Sequence, residues 1–193
     1  SRVMALFFEG RVGVICREAN QARGEEVVYA VYAGGDDLFL IAPWDMVPAL
    51  ARRIQSELVE FAGGHPDIHV SAGISLIGGK YPVYQAAEDA GAALDDQAKK
   101  RDGKDAISFL GRACKWHEEF EEVESTFNTL LELIVKGAPA GLLTRLLALD
   151  ALREATQRRR DDEGRRTTWA GPWLWRGSYT LVRLANQYSG IRD

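Results

Sequence analysis

The chain has 193 residues, 46% hydrophobic and 27% charged, with 24 Lys and Arg against 28 Asp and Glu. That length holds one ordinary domain or a domain with a small companion, and the composition excludes a disordered chain. The net charge of −4 argues against a strongly basic nucleic-acid binder. Cys16 and Cys114 lie far apart with no CxxC neighbour. They exclude a disulfide scaffold and a Cys-rich zinc site, and they point to a reducing compartment. No apolar run reaches the about 18 residues that a membrane span needs. The chain opens on Ser1-Arg2 with no initiator Met and no signal peptide, which is what a fragment of a longer protein would show.

Residues 3–20 predict a helix with a thick apolar face of Met4, Leu6, Phe7, Phe8, Val12, Val14 and Ile15. Residues 26–33 are almost continuously apolar and rich in β-branched and aromatic types, the pattern of a strand buried on both faces. Gly34-Gly35-Asp36-Asp37 follows, and then a second apolar run, 38–42, so the two strands read as a hairpin. Val47, Leu50, Ile54, Leu58 and Phe61 predict a helix over about 46–62, closed by Gly63-Gly64. Residues 67–77 predict a third strand, 83–101 a helix whose small residues suit tight packing on a sheet, and 106–110 a short fourth strand.

After Gly111 the pattern turns to helices alone, near 117–136, 140–157 and 173–188, with a polar, charged loop over 156–171. Composition shifts at the same place. Residues 1–111 carry 11 basic and 16 acidic side chains, residues 112–193 carry 13 and 12, and the second part holds Trp116, Trp169, Trp173 and Trp175. The expectation is an α+β domain over 1–111 and a small all-α domain over 112–193.

Two readings of the Gly-Gly-Asp-Asp turn stand side by side. Gly and Asp are common hairpin-turn residues, so the segment can simply reverse the chain. Two adjacent carboxylates between apolar strands also repel each other, and a divalent cation relieves that repulsion. Mg²⁺ and Mn²⁺ prefer carboxylate oxygens, often one or two together with substrate phosphates. Lys99, Lys100 and Lys104 read as solvated helix-end charges or as phosphate contacts. Ser71-Ala72-Gly73 suits either room for a base or ribose, or close helix packing. Arg158, Arg159, Arg160, Arg165 and Arg166, near Trp169, Trp173 and Trp175, read as an RNA-facing patch. Asp161, Asp162 and Glu163 interrupt that run, so a solvated loop or protein-docking surface competes with it. His65, His69 and His117 show no ligand spacing, and nothing near Cys114 is placed to activate it.

With these segments in view, the chain resembles a known family. Residues 27–45 (VVYAVYAGGDDLFLIAPWD) are similar to the cyclase palm of the large signature subunit of type III-A (Csm-type) CRISPR effector complexes. HVSAGISL (69–76), KYPVYQAAEDAGAALDDQAKK (80–100) and DGKDAISFLG (102–111) resemble the segments that follow in order, and SRVMALFFEG (1–10) the helix that precedes. Residues 112–193 resemble the C-terminal helical domain less specifically. The resemblance implies a ferredoxin-like nucleotidyl-cyclase palm, an antiparallel sheet with helices on one face. It implies a nucleotidyltransferase that makes cyclic oligoadenylates from ATP when target RNA binds, for antiviral defence.

By the same resemblance, Asp36 and Asp37 are the catalytic residues and hold Mg²⁺ or Mn²⁺. Gly34 and Gly35 let the triphosphate lie against the turn. Lys99 and Lys104 become phosphate contacts, and Ser71 joins the nucleotide-binding set. Implied partners are the N-terminal remainder of the large subunit, the other effector subunits including the small-subunit filament packed on roughly 112–193, and guide and target RNA through the complex. A cytoplasmic location and no membrane association follow. Family members also carry a metal-binding Asp on a strand before the opening helix, an HD nuclease, a first palm and a zinc-binding segment. None of these is in the sequence, so the chain by itself is expected to be inactive. A diguanylate cyclase, an RNA-dependent polymerase palm and a non-catalytic scaffold for small subunits and guide RNA remain the alternatives. The first usually follows its two glycines with Asp or Glu, then Glu-Phe, where this chain has Asp36-Asp37-Leu38.

Overall fold

A computed structural model describes residues 2–139, 141–163 and 172–187. It divides into two compact units, Ser1–Glu122 and Val123–Asp193. The first unit opens with α1 (Arg2–Leu6), a π-helical turn (Phe7–Arg11) and α2 (Val12–Arg23). Gly24 ends α2 in the left-handed region at φ 78°, its N–H bonded to the Asn20 carbonyl. The Asn20 side chain then organises the entry to the first strand: its amide oxygen accepts from the N–H groups of Val27 and Val28, and its NH₂ donates to the Val28 carbonyl.

Strands β1 (Tyr29–Gly34) and β2 (Asp37–Ile41) form the expected antiparallel hairpin, with an irregularity between Ala30 and Tyr32. Helix α3 (Val47–Phe61) carries Pro48 in its first turn, where no donor is lost. Phe7, Phe8, Val12 and Ile15 meet Leu50, Ile54 and Leu58 of α3 in the main core, and Leu38 and Leu40 of β2 pack against it. Arg11 and Arg53 both reach Glu57, and Arg53 also pairs with Glu18, tying α2 to α3. Partial burial raises the Glu57 carboxyl, but the two guanidinium hydrogen bonds outweigh it, so its pKa lies below the usual value.

A second sheet has the order β3-β4-β5, from β3 (Ala72–Gly73), β4 (Ala106–Phe109) and β5 (Arg112–Lys115). β3 is parallel to β4, and β4 antiparallel to β5. Helix α4 (Val83–Asp96) lies on β3, followed by a 3-10 turn at Ala98–Lys100. A kinked turn (Trp116–Phe120) leads to α5 (Glu121–Val135). Trp116 is fully buried with Ile107 and Phe120, and Ala51, Ala72, Ile74 and Cys114 line the same cluster. Its indole N–H donates to the Val70 carbonyl at 2.7 Å.

The α+β class holds, with sheets that are one antiparallel and one mixed. Three expectations are corrected. The run 26–33 is not buried on both faces: Tyr29, Val31 and Tyr32 are each more than half exposed, because among the described residues β1 pairs with β2 alone and has core on one side. The third strand shrinks from 67–77 to two residues, since only Ala72 and Gly73 find ladder partners. Residues 112–122 do not open the helical part. The pairing of β5 with β4 and the burial of Trp116 and Phe120 bind them to the first unit, which ends at Glu122 rather than Gly111.

The second unit contains most of α5, then α6 (Gly141–Glu163) and α7 (Pro172–Gln187). Ala138 and Leu142 form a small core with Leu133 and Leu146. Helix α6 overruns the loop expected from 156, because Gln, Arg and Glu propagate a helix without apolar periodicity. Residues 164–171, which include Arg165, Arg166 and Trp169, lie outside the described residues, as do the side chains of Arg158, Arg159 and Arg160. No helix among the described residues is long and apolar enough to cross a membrane.

Candidate functional site

The Gly-Gly-Asp-Asp segment closes the β1–β2 hairpin. Gly34 and Asp37 are register partners, so the turn proper is Gly35-Asp36. Gly35 has φ 66°, a conformation that costs a side-chain-bearing residue about 1 kcal/mol or more. Beside it, the Tyr32 phenol lies over Gly34: a Cβ built there would stand 3.0 Å from the Tyr32 hydroxyl oxygen. Nothing in the local sequence pattern marks Tyr32 for this place. Asp36 and Asp37 are both exposed. Among the described residues no hydrogen bond or ion pair engages either carboxylate. The tip is therefore two adjacent anions open to solvent, with Gly35 giving close access to the backbone. That is a fit for one divalent cation whose other ligands are phosphate oxygens. No group of three or more His, Cys, Asp or Glu side chains able to hold a metal occurs among the described residues.

The other expected site residues are placed differently. Ser71 donates its hydroxyl to the Lys104 carbonyl. Its hydrogen-bonding proton is thus committed to the backbone of the Asp102–Asp105 turn. Lys104 itself sits in the left-handed region at φ 61°, its N–H bonded to the Arg101 carbonyl at 2.9 Å, and its side chain is exposed. Lys99 forms an exposed ion pair with Asp95 at 2.8 Å, and Lys100 pairs with Asp96 one residue on. Ser71 and Lys104 are thus brought together. No hydrogen bond or ion pair among the described residues links the hairpin to Ser71, Lys99 or Lys104.

Gly73 resolves the double reading of Ser71-Ala72-Gly73. A Cβ at Gly73 would lie 2.3 Å from the Ala90 carbonyl oxygen and 2.4 Å from the Leu94 nitrogen. The small residues there serve contact with the α4 backbone. Arg52, which sequence reading did not single out, donates to the Trp116 carbonyl at 2.7 Å and lies over the rings of Trp116 and Phe120. One surface hollow is lined by Arg11, Glu57, Glu60 and Phe61, and another lies between α6 and α7.

Residues 1–108 match the family model described as Cas10/Cmr2, second palm domain. A curated relative from Methanocaldococcus jannaschii, described as a CRISPR system single-strand-specific deoxyribonuclease Cas10/Csm1 of subtype III-A, is 30% identical over 146 residues, 67% of this chain and 18% of its own. One of the same description from Mycobacterium tuberculosis is 27% identical over 96% of this chain and 22% of its own. The chain thus spans about a fifth of the length of these relatives. Among solved structures, a Csm1-Csm4 cassette in complex with cA3 matches at TM-score 0.63 and 26% identity, covering 79% of this chain and 25% of that one. A Csm1-Csm4 cassette in complex with one ATP matches at TM-score 0.54 and 26% identity, over 65% and 20%.

Proposed function

Because the chain belongs to the Cas10/Cmr2 second-palm family, we propose that it forms the nucleotide-polymerising palm of a type III CRISPR effector large subunit, joining ATP into cyclic oligoadenylates. The observation that carries the proposal is the Gly34–Asp37 hairpin, an exposed pair of unengaged carboxylates on a glycine turn inside the matched segment. Relatives solved with ATP and with cA3 support the choice of nucleotide.

In this reading Asp36 and Asp37 hold Mg²⁺ or Mn²⁺, and the ion, when bound, neutralises charge on the triphosphate. Gly35 keeps side-chain bulk away so that the phosphates can approach the turn. A ribose hydroxyl attacks an α-phosphorus, the α–β phosphoanhydride bond breaks, pyrophosphate leaves and the hydroxyl proton passes to solvent. Positioning and electrostatics are then the main contributions of the protein. Lys104 is proposed to meet phosphates with its exposed ammonium, Lys99 to do so by exchanging its Asp95 partner, and Ser71 to contribute to nucleotide binding by holding the turn that carries Lys104. The partners proposed are the rest of the large subunit and the other effector subunits, with guide and target RNA reached through them.

Two carboxylates are too few for a two-metal site, and no third ligand joins them among the described residues. The isolated chain is therefore expected not to turn over ATP. The test uses the effector complex built on the full-length subunit, with target RNA, ATP and Mg²⁺. Asp36→Ala with Asp37→Ala should abolish oligoadenylate while leaving assembly intact. Undiminished product from that double variant refutes the proposal, and so does product from GTP but not ATP. A scaffold reading is favoured by one observation, that no third metal-ligating side chain joins the two carboxylates among the described residues. It predicts no nucleotide product from the wild-type complex and assembly unaffected by the double substitution.

A further inference from the structure

The irregularity in β1 decides which side chain stands beside the carboxylates. The ladder pairs Tyr29 with Ile41 and Ala30 with Leu40, then skips Val31 and pairs Tyr32 with Phe39, Ala33 with Leu38 and Gly34 with Asp37. Directly paired residues share a face of an antiparallel ladder, and neighbours along a strand alternate. Leu38 and Leu40 pack on the core, so Ala30 and Ala33 face inwards with them. Tyr32, Gly34, Asp37 and Phe39 lie on the outer face, together with Tyr29 and Ile41. An unbroken register would set Tyr32 opposite Leu38, towards the core. The extra residue, Val31, is a β-bulge that re-aims Tyr32 to the face of Asp37.

Gly34 fits the same arrangement. Its φ is not in the left-handed region, unlike that of Gly35, so no conformational need explains its missing side chain. The space is taken instead. A Cβ at Gly34 would stand 3.0 Å from the Tyr32 hydroxyl oxygen, 3.3 Å from the carbon that bears it and 3.6 Å from the next ring carbon. It is thus the hydroxyl end of the ring that reaches Gly34, directly across the ladder from Asp37. Among the described residues no hydrogen bond engages this hydroxyl, whereas that of Tyr29, on the same face, donates to the Glu26 carbonyl at 2.6 Å. The fold sets one uncommitted O–H donor beside the two carboxylates.

We infer that the Tyr32 hydroxyl donates a hydrogen bond to a phosphate oxygen of the nucleoside triphosphate held at Asp36 and Asp37, an inference that rests on the cyclase reading of the hairpin. A cation on the carboxylates takes some phosphate oxygens and leaves others for the protein to hold. A phenol suits that task at this place. Its O–H donates strongly to an anionic oxygen and, being neutral, it does not compete with the cation for Asp37 as a lysine or arginine would. Tyr32 is then a binding residue for the triphosphate and takes no part in making or breaking bonds.

The test uses the effector complex built on the full-length subunit, with target RNA and Mg²⁺, and reads binding of α,β-methylene ATP, which cannot release pyrophosphate. Tyr32→Phe keeps the ring over Gly34 and removes only the donor. It should weaken binding about tenfold, the loss expected of one hydrogen bond to a charged group. With ATP itself, KM should rise by a similar factor while kcat stays near the wild-type value, since the contact is made before and during the reaction alike. The affinity of competing α,β-methylene GTP should fall by the same factor, because the triphosphate is common to both. Tyr29→Phe, whose hydroxyl is already committed to Glu26, should bind as the wild type does. Undiminished binding by Tyr32→Phe overturns the inference and leaves the ring as packing for Gly34. A loss confined to the adenine nucleotide also overturns it, by placing the hydroxyl on the base. Product from the Asp36→Ala, Asp37→Ala variant sinks the cyclase reading. Undiminished binding by Tyr32→Phe, in a complex whose product depends on those carboxylates, sinks this inference alone. A wild-type complex that does not bind the analogue overturns both.

Discussion

At Gly35 a built Cβ would meet nothing within 4 Å, whereas at Gly73 it would sit 2.3 Å from the Ala90 carbonyl oxygen. Both glycines stand in segments that resemble parts of one nucleotide site. Gly35 is needed for its φ of 66°, in open space at the tip of a hairpin. Gly73 has no unusual φ and is needed because α4 lies directly on it. The surroundings divide in the same way. Around Gly35 the polar groups, Asp36 and Asp37, are exposed and unengaged among the described residues. Around Gly73 they are committed: Ser71 to the Lys104 carbonyl, and Trp116 to the Val70 carbonyl. One segment leaves its polar side chains open to solvent, and the other uses them in bonds that hold the first unit together.

Substitutions can break this contrast. The largest loss is expected from Trp116→Ala, which empties a fully buried site and orphans the Val70 carbonyl; urea unfolding should read about 4 kcal/mol. Gly73→Ala should follow at about 3 kcal/mol, because the new methyl group meets backbone atoms that cannot rotate away. Gly35→Ala should cost only about 1 kcal/mol by the same measurement, since its penalty is conformational and not steric. If Gly35→Ala proves as costly as Gly73→Ala, the hairpin is packed against something and the contrast fails. Ser71→Ala should also cost about 1 kcal/mol, by releasing the Lys104 turn. Asp36→Asn with Asp37→Asn should leave the urea midpoint where it is or raise it slightly, because two neighbouring anions lose their repulsion. A clear drop would show that these carboxylates stabilise the fold.

Much of the molecule was legible in advance. The alternation of apolar runs with Gly and Asp located the hairpin, though its strands run over Tyr29–Gly34 and Asp37–Ile41 and not 26–33 and 38–42, and the spacing of Leu50, Ile54 and Leu58 located the core face of α3. The small residues of α4 pack as expected at Ala86 and at Ala90, whose carbonyl meets Gly73, whereas Ala92 is exposed. β5 was missed because Arg112-Ala113-Cys114-Lys115 has neither the length nor the apolar content of a strand, and it forms only because β4 offers a free edge. The bond from the Ser71 hydroxyl to the Lys104 carbonyl was not legible, because its acceptor lies 33 residues away. The exposure of Tyr29, Val31 and Tyr32 was missed for the opposite reason, since an apolar run reports what a strand is able to bury and not what arrives to cover it.

By itself the sequence determined where the chain turns, which helix faces are apolar, and that two carboxylates stand on a glycine bend. These depend on dihedral preferences and periodicities within a few residues. Only the tertiary structure decided that Gly73 is a contact and not a cavity, that Ser71 is occupied, and that residues 112–122 belong to the first unit. Each of those depends on a partner distant along the chain, and burial or a hydrogen bond exists only when that partner arrives.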